Sequence, residues 1–321
     1  MDAGLLSKLE VVTEEEKKYK DGCKSIEREL YMQNSSSVVN GEKLLLDGKI
    51  IDIRPHTRFV HFPAHSHDFI EMVYMCKGHT SHLVNGKKVL LSAGELLILS
   101  RGAVQEIMPC DFNDIAVNFI VLPSFFDDVL RMMGEEKTPF HRFLIETIKG
   151  MNNETAYLHF KVSEVLPIQN LIENLIWNLL YTDSNKRNIN QKTMALLFLQ
   201  LMNHTDKLDS SDKDEVIVKV LRYIEDHYKE GSLSCLAEIL HYDLYALSRE
   251  IKIKTGKTYT ALLQEKRLSK ACFYLQTTKM TIEDIAISVG YENISYFYKI
   301  FKTNFGISPR KYRENNKNSL L

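Results

Sequence analysis

The sequence predicts a multidomain protein with an N-terminal β-barrel domain, a helical layer suited to dimerisation, and an all-α C-terminal domain containing two helix-turn-helix units. Three observations carry this prediction. Short apolar runs separated by turn residues fill residues 43–122, apolar residues at helical spacing dominate 124–204, and two similar helical segments occupy the last hundred residues. At 321 residues, the chain has the length of two or three domains.

The composition is that of an ordinary soluble globular protein, with 44% apolar and 26% charged residues. No apolar run approaches the roughly 20 residues that span a bilayer, and the first 20 residues lack the basic start and apolar core of a signal peptide. We therefore expect a cytoplasmic protein without a membrane partner. The five cysteines form no CxxC pair, which argues against disulfides or structural zinc and favours small apolar core residues.

The net charge of −1 hides an asymmetry along the chain. Residues 213–321 hold 18 Lys and Arg against 13 Asp and Glu, so the remainder is acidic. A basic module on an acidic body indicates an anionic partner for that module, although an excess of this size also suits a solvated surface.

The N-terminal half divides into an arm and a barrel. Residues 1–42 are charged with scattered apolar positions, and predict a helix or arm that either folds over the next domain or is disordered. Residues 43–123 predict the barrel, because many short strands follow one another at regular spacing. Within them, Asn85-Gly86 separates two strand-like runs and predicts a tight hairpin.

Residues 124–204 predict a helical layer. Apolar side chains recur at helical spacing within LPIQNLIENLIWNLL, as Leu171, Leu175 and Leu179 show. This stripe suits either core packing or a dimer interface, because such a surface must be covered by something. The polar residues 205–215 predict a linker, and residues 216–321 the C-terminal domain.

The C-terminal domain contains an internal duplication. Two segments ending at Gly256 and Gly306 align at an offset of 50, where Leu247 meets Phe297 and Arg249 meets Lys299. Each copy predicts a helix, a tight turn and a second helix. The second helix of each copy has an apolar face and, on the opposite side, cations, hydroxyls and aromatic rings. These side chains suit the reading of a major groove and are the predicted DNA-binding residues: Tyr245, Ser248, Arg249, Lys252, Ile294, Ser295, Tyr298, Lys299 and Lys302.

The second copy also carries a long motif at family-typical spacing: Gly290, Tyr291, Ser295, Tyr296, Phe297, Phe301, Lys302, Gly306, Ser308, Pro309, Tyr312 and Arg313. This region resembles the DNA-binding domain of AraC/XylS-type transcriptional regulators. The first copy departs from the motif, because His241-Tyr242-Asp243 replaces the usual Gly-x-Ser turn and Ile251 replaces phenylalanine. The resemblance implies two recognition helices in successive major grooves, about 34 Å apart.

The barrel contains the stretch HSHDFIE, in which His65, His67 and Glu71 fall on one face of a strand. Two imidazoles and a carboxylate are ligands for a divalent metal, and the spacing resembles the first motif of cupin barrels. The second cupin motif is incomplete, because Ser100 replaces its proline and Gln105 its histidine. Phe59 likewise occupies the position of a glycine.

AraC-type regulators often carry a metal-free, cupin-like barrel that senses an effector. This resemblance implies that His65, His67, Glu71 and Gln105 bind a small polar effector. The alternative is a buried polar cluster without a ligand. No motif includes His61, His79 or His82, which we expect at the surface or at strand ends.

Together the resemblances imply a homodimeric, sequence-specific transcription regulator, more often an activator, with promoter DNA, RNA polymerase and a small-molecule effector such as a sugar as partners. It would need no cofactor and would not be an enzyme. One alternative is a metal-dependent cupin enzyme using His65, His67 and Glu71, which leaves the last hundred residues unexplained. Another is a dimerising partner that binds no DNA, which conflicts with the exposed Tyr245 and Arg249 that the helical pattern predicts.

Overall fold

The computed structural model describes residues 1–32, 36–45, 49–126, 157–181, 185–204, 207–210 and 212–317. The described residues form two compact units, the first ending at Glu215 and the second beginning at Val216. Within these ranges, no helix has both the length and the apolar character needed to cross a membrane. Much of the predicted helical layer, residues 127–156, lies outside the described residues.

The first unit is built on two β-sheets that enclose an apolar core. One sheet has the order β1-β3-β8-β5-β6, and the other β11-β10-β7-β4-β9-β2. Buried side chains from both sheets, among them Val73, Val84 and Leu97, pack into one cluster. The strands are β1 (Val38–Val39), β2 (Ile51–Pro55), β3 (Phe62–His67), β4 (Ile70–Lys77), β5 (His79–Val84), β6 (Lys87–Ser92), β7 (Leu96–Leu99), β8 (Gln105–Ile107), β9 (Ile115–Val121), β10 (Tyr157–Phe160) and β11 (Leu208–Ser210).

Two positions show how local backbone chemistry shapes these sheets. The predicted hairpin at Asn85-Gly86 joins β5 to β6, and both residues have positive φ, 47° and 83°. Phe59, which stands at the glycine position of the cupin motif, has a φ of 70°. The backbone therefore keeps the left-handed conformation there, although the side chain is one that rarely adopts it.

Two strands lie where the sequence predicted other structure. β10 falls within the predicted helical layer, and β11 falls within the predicted linker. β10 pairs antiparallel with β7 through Tyr157 and Leu99, and all four of its residues are buried. A four-residue apolar run has no periodicity that separates strand from helix, so its pairing with a distant strand decides its structure.

Short helices at the N-terminus pack on the sheets, which excludes the disordered alternative for the described part of the arm. They are α1 (Ala3–Leu9), α2 (Glu14–Lys20), α3 (Arg28–Tyr31) and α4 (Gly41–Leu44). Tyr19 and Tyr31 are buried in a cluster with strand residues such as Phe62. Glu16 of α2 forms an ion pair with Arg58, and both side chains are only 2% exposed.

Two longer helices complete the first unit, α5 (Leu166–Leu180) and α6 (Lys186–Asn203). The stripe predicted in α5 is split: Ile172, Leu175, Ile176 and Leu179 are buried, whereas Leu171 is only partly buried. The buried stripe is therefore core packing. A separate apolar surface remains, with Leu166, Trp177 and Leu180 of α5 exposed.

The second unit is all helical. Its helices are α7 (Asp212–His227), α8 (Leu233–Ile239), α9 (Leu244–Thr255), α10 (Tyr259–Thr277), α11 (Ile282–Ser288), α12 (Ile294–Phe305) and α13 (Pro309–Lys317). Side-chain N-caps begin α9 and α12 at Asp243 and Asn293, and left-handed glycines end both helices, at Gly256 and Gly306. The predicted duplication is thus present as α8–α9 and α11–α12.

Contacts of the turn at Gly290 hold the second helix-turn-helix against the start of the first. Gly290 has a φ of 95°, and a Cβ there would lie 2.5 Å from the Lys229 carbonyl oxygen. Arg267 of α10 donates to the carbonyl oxygens of Tyr228 and Lys229, at 2.6 and 2.7 Å, and lies over the Tyr291 ring. The relative placement of the two repeats therefore depends on a close backbone contact that only glycine permits.

Candidate functional site

The first candidate DNA-reading surface lies on α9. Leu247 and Ile251 are fully buried and anchor the helix. On its outer side Arg249 and Lys252 are exposed, and the Tyr245 side chain is 82% exposed. Ser248 is half-buried at the edge of this face. The chain thus places the four residues predicted for the first repeat on one accessible face of α9.

The second surface lies on α12 and is narrower than predicted. Phe297 and Phe301 are fully buried, while Ser295, Lys299 and Lys302 are exposed. Of the five side chains predicted on this face, Ile294 and Tyr298 are half-buried and do not face outward.

Ile294 and Tyr298 pack against the core of the second repeat. Burial, and then the charge of Glu283, raise the pKa of Tyr298. Tyr296, which was named only as part of the family motif, is 53% exposed. Helical periodicity alone does not show whether a residue at the edge of an apolar face is buried or exposed. The neighbouring helices determine how wide the buried face is.

Both surfaces carry the chemistry of nucleic-acid recognition. A guanidinium donates two parallel hydrogen bonds to guanine, hydroxyls bond bases or phosphates, and ammonium groups neutralise phosphates. The two faces occupy equivalent positions in the duplicated repeats, with Arg249 and Lys299 in register. Two presented faces are the arrangement that double docking into successive grooves requires.

The second candidate site lies inside the barrel, where the four predicted effector residues come together. His65 and Gln105 are directly paired across β3 and β8. The Gln105 Nε2 donates to Glu71 Oε2 at 3.2 Å, and the His67 Nε2 lies 3.4 Å from the same oxygen. All four side chains are buried, between 0% and 5% exposed.

Burial keeps the histidines of this cluster neutral. Burial, reinforced for His65 by the neighbouring His67, lowers the pKa of both imidazoles to about 4. Burial also raises the pKa of Glu71. The side-chain amides of Gln105 and Asn118 partly offset this rise, because each donates a hydrogen bond to the carboxylate. The pocket therefore lacks a buried cation at neutral pH and presents polar groups that both donate and accept hydrogen bonds.

A chain of hydrogen bonds extends this cluster beyond the predicted residues. The Asn118 Nδ2 donates to Glu71 Oε1 at 2.9 Å, and His56 Nδ1 donates to Asn118 Oδ1, also at 2.9 Å. The Thr80 hydroxyl lies 3.5 Å from His56 Nε2. No sequence motif includes His56 or Asn118; Asn118 lies on β9, and His56 directly follows the end of β2.

A cavity of about 40 Å³ opens beside these groups. Its walls combine the barrel residues His65, His67 and Glu71 with Arg54 of β2 and Tyr31 of the N-terminal arm. This volume is space for a few water molecules, whereas ligand pockets usually measure about 300–1,000 Å³. A larger occupant therefore requires neighbouring side chains or the arm to move.

The geometry does not support the metal reading. Among the described residues, no three His, Cys, Asp or Glu side chains are placed to hold a metal ion. Both Glu71 oxygens accept from amides, and His65 Nδ1 donates to the Pro63 carbonyl at 2.8 Å. The Glu71 oxygens are therefore engaged with amide groups, and no common point with the two imidazoles is formed among the described residues.

The remaining histidines correct one further expectation. The side chains of His61 and His79 are 43% and 67% exposed, as expected for surface positions. His82 was expected at the surface or at a strand end, but it is 1% exposed and lies inside the barrel. The alternation of β5 explains this placement, because Thr80, His82 and Val84 share its inner face.

Two family models match separate parts of the chain. A model described as AraC-like ligand binding domain matches residues 51–111, and a model described as helix-turn-helix domain matches residues 236–315. These matches confirm the predicted fold class, with a sheet-rich, cupin-like domain before a helical domain.

Similar proteins include the HTH-type transcriptional activator RhaS of Mannheimia succiniciproducens, which is 26% identical over 78% of this chain and 89% of that protein. The HTH-type transcriptional activator RhaR of an Enterobacter species is 20% identical over 78% of this chain and 87% of that protein.

A solved structure, the C-terminal domain of the response regulator AraT from Geobacillus stearothermophilus, is 34% identical. It matches 33% of this chain and 88% of its own, with a TM-score of 0.31. The chain therefore carries an AraC-like ligand binding domain ahead of an AraC-type helix-turn-helix domain, and its homologues are AraC-family transcriptional activators.

Proposed function

We propose that this chain is a cytoplasmic, dimeric activator that binds promoter DNA through α9 and α12 and responds to a small-molecule effector in the barrel. The observation that carries the proposal is the pair of outward faces on the duplicated recognition helices. The proposal assigns no catalytic step and no cofactor to the chain. Activation is proposed because the relatives RhaS and RhaR are named transcriptional activators, and an activator bound at a promoter acts on RNA polymerase.

Base reading is assigned first to Arg249. It is exposed on the middle of α9, and a guanidinium can grip one guanine with two parallel bonds. Tyr245, Ser248 and Ser295 contribute further base or phosphate contacts. Lys252, Lys299 and Lys302 are ammonium groups that bind phosphate strongly but specify sequence weakly.

The effector is proposed to enter the cavity between the sheets and the N-terminal arm. Its walls join His65, His67 and Glu71 to Tyr31, so an occupant contacts both the barrel and the arm. Mixed donors and acceptors favour a polar molecule, and a sugar has this chemistry. Differential binding to two arrangements of the protein would couple the barrel to the DNA-binding domain.

Dimerisation is proposed through the exposed apolar surface of α5 and α6. This surface consists of large apolar side chains that are exposed to solvent: Leu166, Trp177, Leu180, Ile189 and Leu196. Trp177 stacks on Tyr181, with ring centroids 4.4 Å apart, so a large aromatic surface is held in place. We expect Trp177→Glu to convert a dimer to a monomer in sedimentation analysis, whereas Lys161→Glu on the exposed surface leaves the dimer intact.

The decisive experiment selects DNA from a random pool with the full chain and measures affinity for the enriched sequence and for a scrambled duplex. Arg249→Ala and Lys299→Ala are compared with Lys279→Ala, an exposed cation outside both recognition helices. We expect wild type and the control to prefer the enriched sequence, and the double variant Arg249→Ala/Lys299→Ala to lose that preference. A pool without enrichment at low and moderate salt would refute sequence-specific binding.

A further inference from the structure

One buried side chain in the barrel has no partner. His82 of β5 is 1% exposed, and neither of its ring nitrogens has a hydrogen-bond partner. Two other polar atoms near it share this property, the Gln105 Oε1 and the His67 Nδ1. Groups that are buried in this way are normally paired, so four unpaired atoms in one barrel interior require a reason.

The strand register brings these atoms to one inner face. His82 lies opposite Ile107, and Val84 lies opposite Gln105 across the β5–β8 pair. His65 lies opposite Gln105 from the other side, across β3 and β8. Gln105 therefore stands between His65 and His82, with His82 as its diagonal neighbour.

His82 is also adjacent to the cavity. Its ring centroid lies 5.5 Å from that of His56, which lines the cavity wall. His56 bonds to Asn118 through Nδ1 and lies 3.5 Å from the Thr80 hydroxyl through Nε2, so both of its nitrogens face other partners. The Gln105 side chain partly offsets the lowering of the His82 pKa, yet no hydrogen bond of standard geometry joins it to either nitrogen.

We propose that His82, with the unpaired oxygen of Gln105, forms a second, deeper subsite that binds an uncharged hydroxyl group at the inner end of the effector. The proposal rests on the proposed effector-sensing function and adds the depth of the site and the chemistry of its ligand. A ligand reaches this subsite from the cavity by passing His56 and His65.

The ligand class follows from the unpaired atoms. A neutral imidazole offers one donor and one acceptor, and an amide oxygen accepts. A hydroxyl both donates and accepts, so it satisfies this set without a counter-charge. Burial holds the pKa of His82 well below its ordinary value, so His82 carries no charge at neutral pH. A carboxylate would be desolvated there without an opposite charge, which is costly.

The test compares the full chain with two variants at this position. His82→Leu keeps about the same volume and removes both nitrogens, whereas His82→Gln keeps a donor and an acceptor. His79→Leu is the control, because His79 lies on the same strand and its side chain is 67% exposed. Trp177 is the single tryptophan of the chain and reports unfolding of the first unit by fluorescence.

The first readout is thermal unfolding without any ligand, at neutral pH. Leucine removes an unsatisfied buried imidazole, so we expect His82→Leu to raise the unfolding temperature of the first unit by about 2–4 °C. His79→Leu should leave it within about 1 °C. A lower unfolding temperature for His82→Leu would show that His82 holds the fold through buried water, and would overturn the proposal.

The second readout uses glycerol, erythritol, arabinose, xylose and glucose as probes of the hydroxyl class. We expect at least one to raise the wild-type unfolding temperature, to bind His82→Leu at least tenfold more weakly, and to recover part of its affinity in His82→Gln. Equal binding by wild type and His82→Leu, or no shift of the wild type by any probe, would overturn the proposed ligand chemistry. We expect His82→Leu to select the same DNA sequence as wild type without ligand. This result would show that the DNA-binding function holds even if the proposed ligand chemistry fails.

Discussion

Replacing Glu16 with glutamine removes the negative charge from a buried ion pair that holds α2 on the barrel. Arg58 donates to Glu16 through Nε at 2.7 Å, Nη2 at 2.9 Å and its backbone N–H at 3.2 Å. Its remaining guanidinium contacts go to carbonyl oxygens of Glu10, Val11 and Phe112. Glutamine keeps the size of the side chain but leaves the Arg58 charge without a counter-charge.

The size of the effect follows from burial. Both side chains are 2% exposed, and breaking such a pair from one side costs about 3–5 kcal/mol. With a urea dependence of about 1–3 kcal/mol per molar, the unfolding midpoint of the first unit should fall by about 1–3 M. Trp177 fluorescence measures this midpoint. Hydrogen exchange of residues 14–31 reports the same loss if α2 detaches before the sheets unfold.

The pair also predicts a pH dependence. Burial alone would raise the pKa of Glu16, but hydrogen bonds from Arg58 and Thr13, with the guanidinium charge, hold it below its ordinary value of 4.5. A carboxyl group with a lowered folded-state pKa stabilises the fold above its unfolded-state pKa, and this contribution is lost as the pH falls through the folded-state value. Wild type should lose this contribution below pH 4.5, whereas Glu16→Gln should not.

Glu14→Gln is the matched control on the same helix. Glu14 is 87% exposed and pairs only with Lys17, so its loss should cost less than about 1 kcal/mol. The reasoning is refuted if Glu16→Gln and Glu14→Gln unfold at the same urea concentration and exchange alike in α2. The carbonyl contacts of Arg58, rather than its ion pair, would then hold the arm.

Three further predictions concern recognition, acid stability and the repeat contact. Arg249→Ala should cost about 1–3 kcal/mol on the selected DNA and relax preference at one base pair, while equal weakening on every duplex would exclude base reading. Because burial lowers the pKa of His67 from 6.5 to about 4, its neutral form stabilises the first unit fully above pH 6.5, and about 3 kcal/mol is lost by pH 4. Urea unfolding of His67→Gln should show a flatter pH profile, and an unchanged profile would contradict this. Gly290→Ala should destabilise the second unit by about 2 kcal/mol or more in far-UV circular dichroism, because strain and a backbone clash combine. Gly256→Ala, with open space at the Cβ position, should cost only about 1–2 kcal/mol, and equal costs would exclude the clash.

The helix-turn-helix repeats were predicted well because their signals are local. Asp243, Asn293, Gly256 and Gly306 begin and end the recognition helices as their residue types predict. The spacing of apolar residues alone predicted the buried faces of the two recognition helices, as the burial of Leu247 and Phe297 confirms. The outer face of α12 was predicted too wide, since contacts with neighbouring helices bury part of Tyr298.

The barrel site was predicted only in part. His65, His67 and Glu71 share a face by alternation, and the second motif pointed to Gln105 as their neighbour. His56, Asn118 and Tyr31 reach the same region from separate elements, and no spacing in the sequence connects them.

The two-part organisation, the duplicated recognition helices and the polar stretch of the barrel can all be predicted from the order of the residues. Caps, turns and periodicity act over a few residues, so they can be read before the chain is folded. Only the tertiary structure decided the strand pairing of β10, the Glu16–Arg58 ion pair and the burial of His82. The strand pairing and the ion pair join residues 42 or more positions apart in sequence, and the burial of His82 depends on which face of its sheet is covered. Local sequence patterns predict neither kind of feature.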